Sequence, residues 1–290
     1  MNLRKFLRTD TMLPYWLLLP TVAYLLLFFL FPLISTIGLS FRTPEGKFTT
    51  EYFLRMLNDR LFLPALKYTF FLALTVVPLQ VLTALGISLL VNTRFVGSRF
   101  FLYLCVLPLG ISDLTAGLIW FSIFTRHGYL NSILYSLGFI ERPLVFLSAI
   151  TPEWVFVSIV LAEHWRATAI VLVILVAGLQ MISRDYLEAA EVLGARPWQK
   201  FLYVTLPLLK PSLQSALIIR TIFAFQVFAV VEALGGHIVP VLASAAYEWY
   251  AFYFQRHVAA AYAVIIMIAS MFMTFVLFRL LRMRREAMRI

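Results

Sequence analysis

Residues Trp154–Lys210 read WVFVSIVLAEHWRATAIVLVILVAGLQMI and then SRDYLEAAEVLGARPWQKFLYVTLPLLK. The first part, Trp154–Ile182, is apolar for 29 residues apart from one charged patch, Glu163-His164-Trp165-Arg166. A helix needs about 20 apolar residues to cross a bilayer, so this run is long enough to span one. The second part, Ser183–Lys210, is too polar to cross and too patterned to be a passive linker. A spanning helix followed by a structured polar loop places the chain among membrane proteins.

The rest of the chain agrees. Of 290 residues, 62% are hydrophobic and 13% charged. Soluble domains carry about 45–50% apolar and about 25% charged residues. One soluble core of this length cannot hide that surface. Six runs are long enough to span: Leu13–Phe41, Leu66–Val91, Arg99–Phe124, Trp154–Ile182, Ser212–Leu234 and Ala259–Leu281. None alternates as barrel strands do, so helices are expected throughout. Pro14, Pro20 and Pro32 predict a kink or a late start in the first run. That run is too long for a signal-peptide core and is expected to remain as a membrane helix.

The net charge of +10 comes from Lys and Arg gathered at the ends of apolar runs. No basic groove interleaved with aromatics appears, so nucleic acid is not the expected partner. With the N terminus inside, the inner segments hold Arg4, Lys5, Arg8, Arg94, Arg99, Arg184, Arg196, Lys200, Lys210, Arg279, Arg282, Arg284, Arg285 and Arg289. The outer segments hold Arg42, Lys47, Arg55, Arg60, Lys67, Arg126, Arg142 and Arg256. This asymmetry predicts a multi-pass protein with both termini cytoplasmic. The single cysteine, Cys105, excludes an intrachain disulfide. The expected organisation is a tail, first helix and outer loop over residues 1–65. A core with five helices follows over 66–290, its inner loop at 183–210. No internal repeat is found, which counts against a secondary transporter built from two related halves.

The inner loop predicts a helix–turn–helix elbow. Asp185 is placed to cap a first helix, with Glu188 three residues on as a capping box. Asp185, Glu188 and Glu191 share one sector, and Tyr186, Ala189, Ala190 and Leu193 form an apolar face. Gly194 ends that helix, and Pro197 opens a second at its tolerated first-turn position. Pro207 and Pro211 are expected to break the chain before the next span. Small alanines and acidic groups on a compact bend suit docking onto another protein.

Glu188-Ala189-Ala190, Gly194 and Val204-Thr205-Leu206-Pro207 resemble the EAA loop of binding-protein-dependent ABC importer permeases. They keep that loop's spacing and its place between the fourth and fifth of six spans. Val204 stands where isoleucine is usual. Asn92 to Arg99, Leu107-Pro108, Gly117-Leu118-Ile119-Trp120 and Phe225-Gln226-Val227-Phe228 resemble the carbohydrate-uptake branch of that family, the maltose, trehalose and glycerol-phosphate type. Ala229 and Gly235-Gly236-His237 depart from the branch, which often has an acidic residue and a Gly-Gly-Pro motif there.

The resemblance implies an all-α integral membrane fold of the type I ABC importer permease kind. This is a bundle of six transmembrane helices with a cytoplasmic coupling-helix loop, in a bacterial or archaeal cytoplasmic membrane. It implies a second permease subunit as heterodimer partner, two copies of an ABC ATPase, and an extracytoplasmic solute-binding protein delivering a sugar or another solute such as a polyol or glycerol-phosphate. The coupling contact would be made by Asp185, Glu188, Ala189, Ala190, Gly194, Pro197, Leu206 and Pro207. ATP and Mg would be bound by the partner ATPase. This chain has no P-loop: its one Gly-Lys pair, Gly46-Lys47, is followed by Phe48.

Polar residues inside the runs are the candidate solute-path groups, because ionisable side chains in a bilayer usually face the bundle interior or a wet path. Glu163 and Arg166 are spaced to pair on one helix face. They form either a self-neutralising pair that orients the span or, with His164 and Trp165, a hydrophilic patch on the path. Gln226 with Phe225 and Phe228 suits hydrogen bonding and stacking against a sugar. Gln80, Asp113 and Trp120 are further lining candidates, with Asp113 alternatively capping a helix break after Pro108 and Gly110. Arg220 is expected to snorkel or to pair across a dimer interface. The four histidines have no metal-ligand spacing, so no metal is expected. A membrane-embedded enzyme lacks the clustered catalytic groups it would need.

Overall fold

The computed structural model describes residues 9–281. The basic residues Arg4, Lys5 and Arg8, and Arg282, Arg284, Arg285 and Arg289, on which the expected placement of the termini rests, lie outside the described residues. The described residues are helical apart from short loops and one isolated antiparallel bridge, Arg42 with Phe48. Five helices are long and apolar enough to cross a membrane: Pro14–Phe41, Phe62–Asn92, Pro152–Gln180, Pro197–Phe225 and Arg256–Arg279. A sixth crossing is made if the bent pair Ser98–Gly110 and Asp113–Ser136 counts as one span. The chain forms two units, the first running to Asn58 together with Ala246–Ile265 and the second comprising the remainder.

In the first unit, α1 (Thr9–Leu25) passes through a π turn at Leu26–Leu30 into α2 (Phe31–Phe41). The π turn explains how a proline-bearing run stays continuous. The Phe31 N–H bonds to the Leu26 carbonyl, five residues back. That wider pairing carries the helix into Pro32, which sits in the first turn of α2 where its missing N–H is tolerated. The tight turn after α2 closes on Gly46 at φ 82°, with Thr43 N–H bonded to Lys47 O at 2.9 Å. A short helix, α3 (Glu51–Leu57), buries Tyr52, which stacks on His257 at 4.8 Å. His257 Nδ1 lies 2.9 Å from Leu39 O.

The second unit is built on α4 (Phe62–Asn92) and α8 (Pro152–Gln180). One apolar cluster joins Leu72 and Val76 of α4 to Val155, Ile159 and Ala162 of α8. Another joins Val81 and Ala84 to Leu172 and Leu175, with Leu209 and Ala216 from α11 (Leu206–Phe225). Small residues let the backbones approach, as membrane helices require where lipid removes the hydrophobic drive to associate. A Cβ at Gly178 would lie 2.6 Å from Ser212 Cβ, and one at Gly117 would lie 2.6 Å from Ala233 Cβ.

Four expectations are corrected. The expected third span, Arg99–Phe124, is not one straight helix. Here α5 (Ser98–Val106) runs into a 3-10 turn at Leu107–Gly110, and the chain bends by 104° before α6 (Asp113–Phe124) and α7 (Tyr129–Ser136). Pro108 and Gly110 weaken the helix there, and the Ser112 hydroxyl then accepts the Thr115 N–H at 3.2 Å and starts a new one. Ser112, not Asp113, is therefore the cap. The fifth span was expected at Ser212–Leu234. Its helix begins earlier and ends at Phe225, and Gln226–Phe228 separate it from the short α12 (Ala229–Leu234). Nor do Pro207 and Pro211 break the chain. A π turn at Phe201–Thr205, with Leu206 N–H bonded to Phe201 O, leads into Pro207 as the first π turn leads into Pro32. Pro211 is accommodated inside α11. The chain continues through α13 (Leu242–Ala251) to α14 (Arg256–Leu281).

Candidate functional site: a surface elbow and a buried charge cluster

The elbow forms as two short helices, α9 (Arg184–Val192) and α10 (Pro197–Lys200). The first cap is Ser183, whose Oγ accepts the Asp185 N–H at 3.3 Å, so Asp185 stands inside the first turn rather than before it. Its carboxylate accepts from Ser183 Oγ at 3.0 Å and complements the positive helix end. The far end closes as a Schellman motif: Gly194 N–H bonds to Glu191 O and Ala195 N–H to Ala190 O, each at 2.9 Å. Gly194 sits at φ 79°, a left-handed conformation that a side chain makes costly. Pro197 opens α10, and the Gln199 side chain accepts the Arg196 N–H at 2.7 Å. Lys200 pairs with Glu191 and ties the two arms together.

This leaves one face bare. Val192 and Leu193 are 88% and 86% exposed, beside exposed Tyr186, Glu188 and Ala189. Ala190 and Leu187 are half-buried. Unlike those of Asp185 and Glu191, the carboxylate of Glu188 has no hydrogen bond or ion pair among the described residues. Leu206 and Pro207 lie beyond the π turn, at the root of α11.

The second feature lies inside the membrane-spanning part. Glu163 on α8 is fully buried, and its carboxylate is shared between Arg166 and Arg220. Arg220 on α11 is 1% exposed. Gln80 of α4 joins them: its amide nitrogen donates to the Glu163 carbonyl at 2.8 Å, and its oxygen accepts from Arg220 Nε at 2.6 Å. Arg166 reaches outward to Asp113 on α6 at 2.8 Å. Two carboxylates and two guanidiniums from three helices thus balance, as buried charges must. A cavity of about 340 Å³ opens beside them, lined by Asp113, Arg166, Arg220, Phe223 and Gln226. Arg220 Nη1 is buried without a hydrogen-bond partner.

Of the expected path residues, Asp113, Arg166 and Gln226 meet at this cavity, while Glu163 and Gln80 lie behind it, fully buried. Trp120 and Trp165 lie edge to face at 6.2 Å, and His164 Nε2 lies 3.4 Å from Thr83 Oγ1. Phe225 packs edge-on against Phe70 at 5.0 Å and is 1% exposed, so it faces the core. Phe228 is half-buried just before α12. Arg220 neither snorkels nor awaits another subunit: its partners are Glu163 and Gln80 of the same chain. Among the described residues, no group of three or more His, Cys, Asp or Glu is placed to hold a metal.

Residues 82–286, which contain the whole elbow and the Glu163–Arg220 pair, match the family described as binding-protein-dependent transport system inner membrane component. The chain belongs to that family. Several permeases are similar to it. The trehalose/maltose transport system permease protein MalF of Thermococcus litoralis is 32% identical over 234 residues, 78% of each chain. The lactose transport system permease protein LacF of Rhizobium radiobacter is 32% identical over 219 residues, 73% of each. The sulfoquinovosyl glycerol transport system permease protein SmoG of Agrobacterium fabrum is 33% identical, covering 78% of this chain and 75% of that one. In fold, this permease is similar to a chain of a bacterial ABC transporter that imports the acidic polysaccharide alginate. The TM-score is 0.81 at 21% identity, over 96% of this chain and 98% of that one. The all-α permease architecture and the multi-pass inner-membrane location follow.

Two features of this permease were not anticipated. Arg220 and Gln80 complete the charge cluster from positions 57 and 83 residues away from Glu163. Their only sequence signal was being polar inside an apolar run.

Proposed function

We infer that this permease pairs with a second membrane subunit to form a path for a neutral sugar, driven by ATP and Mg bound in two copies of a partner ATPase. An extracytoplasmic binding protein would deliver the solute. The observation carrying this reading is the braced elbow with its bare tip. Val192, Leu193 and the unpaired Glu188 are held rigidly by the Gly194 turn and the Lys200–Glu191 pair, an arrangement that suits insertion into a cleft of another protein. A permanently solvated loop would gain nothing from exposing those apolar side chains.

The cavity beside the charge cluster supports a neutral cargo. Asp113 and Glu163 balance Arg166 and Arg220, so no net charge remains to attract a phosphate or sulfonate. Gln226, Asp113 and Arg166 still offer both donors and acceptors to hydroxyl groups. Among the similar permeases, those for trehalose/maltose and lactose carry names of that class, and the one for sulfoquinovosyl glycerol does not.

The test is reconstitution of the complete transporter with Glu188→Lys or Gly194→Val in this chain. Solute uptake and solute-stimulated ATP hydrolysis should both fall to background while the permease still inserts. Normal uptake by both variants would remove the coupling role from the elbow.

A further inference from the structure

At the same end of the second unit as the elbow lies a larger cavity, of about 450 Å³, between the end of α4, the start of α5 and the end of α8. Its polar wall is made by Arg94, Arg99, Ser98, Asn92 and Gln180, and no acidic residue lines it. The side chains of Arg94 and Arg99 are exposed and, like those of Arg126 and Arg142, have no hydrogen bond or ion pair among the described residues. The neighbouring cavity, which shares Arg94, contains Glu188 and Glu191. Arg94 therefore has two carboxylates on its other side, while Arg99 lines a wall with none.

Two local features sharpen the contrast. Helix α5 starts at this cavity with Gly97 before it, no side-chain cap and no acidic residue in its first turn, so the positive end of its dipole is uncompensated. Arg94 occupies φ 56°, a left-handed conformation that glycine would adopt without strain.

The remaining wall is apolar, formed by Leu102, Val176 and Leu179. On the same α5, Phe100, Tyr103 and Leu104 are exposed. A basic mouth joined to an apolar wall matches a headgroup continued by acyl chains better than a free ion, and basic pockets between membrane helices take anionic headgroups.

We propose that this cavity is a binding site for the phosphate of an anionic phospholipid. The site is separate from the solute cavity, adjoins the Glu188 side of the elbow through Arg94, and stands whatever cargo the permease moves. Inorganic phosphate shares the chemistry but has no use for the apolar wall.

Native mass spectrometry of the full-length chain in detergent tests this, with phosphatidylglycerol, phosphatidylcholine and inorganic phosphate as separate probes. Phosphatidylglycerol should remain bound at about tenfold lower concentration than phosphatidylcholine, since each basic side chain near a headgroup adds several-fold. Arg94→Gln with Arg99→Gln should abolish that preference. Arg126→Gln with Arg142→Gln, which removes two cations remote from this cavity, should keep it. Far-ultraviolet circular dichroism of both variants would show whether helix content is retained. The proposal is overturned if the wild type does not discriminate between the lipids, or if the Arg94/Arg99 variant still does. It is overturned equally if the control pair loses the preference, or if millimolar inorganic phosphate binds as well as the lipid.

Discussion

Replacing Glu163 with Leu removes the one carboxylate that serves both Arg166 and Arg220. Arg166 keeps Asp113, at 2.8 Å, but Arg220 is 1% exposed and is left with only the Gln80 oxygen. Removing one partner of a buried pair costs about 3–5 kcal/mol. Glu163 accepts three hydrogen bonds from Arg166 and one from Arg220; taken as one net charge-assisted contact per arginine, at about 1.5–3 kcal/mol each, their loss gives about 3–6 kcal/mol. The two routes agree. Arg220→Met should cost less, about 1.5–3 kcal/mol, because Glu163 keeps its pair with Arg166 and loses one charge-assisted hydrogen bond. The double variant Glu163→Leu/Arg220→Met removes both charges and leaves mainly the Gln80 side-chain oxygen without its donor, about 1–3 kcal/mol. The double change should therefore be less harmful than Glu163→Leu alone and fall well short of the sum of the two single losses. Reversible unfolding in mixed micelles, followed by circular dichroism, measures all three. If the two single losses simply add in the double variant, the side chains are not a coupled pair and the cluster's electrostatic account fails.

Asp113→Asn should cost no more than about 1 kcal/mol in the same assay, because Asp113 is half exposed and its pair with Arg166 is largely solvated. Gly178→Leu should separate α8 from α11 at Ser212 and lose about 1–3 kcal/mol or more, with Gly38→Leu, which meets open space, as the near-neutral control. Gly194→Val should cost about 1–2 kcal/mol of local stability through its φ of 79° without steric contact, read as faster amide exchange over residues 189–196. Lys200→Ala should leave global stability within about 1 kcal/mol, the pair being partly exposed, yet should raise exchange at the Gly194 turn by untying α10 from α9.

The membrane class and the elbow could be read from residue types because both depend on local pattern. Apolar run length gives spans, and a glycine followed three positions on by a proline gives the turn at Gly194 and the start at Pro197. The break at Gln226–Phe228 was hidden because Phe225, Val227, Phe228, Val230 and Val231 keep the composition apolar through it. Hydropathy reports the solvent and is blind to a change in backbone direction. The bend after Pro108 had its signals in Pro108, Gly110 and Ser112, which an apolar average obscured. Proline was overweighted in the opposite sense: Pro32 and Pro207 each follow a π turn that absorbs the missing donor. The Glu163–Arg166 pair could be anticipated from spacing along one helix. Arg220 and Gln80 reach the same carboxylate from other helices, and only the folded arrangement brings them there.

The bare tip at Val192 and Leu193 bears on how the cell keeps its subunits in proportion. A copy made ahead of its companions carries two aliphatic side chains in water on a rigid mount, a mark that chaperones and proteases can read. Surplus copies would then be short-lived, and a pulse–chase comparison with Val192→Ser/Leu193→Ser would show whether softening the mark lengthens their survival.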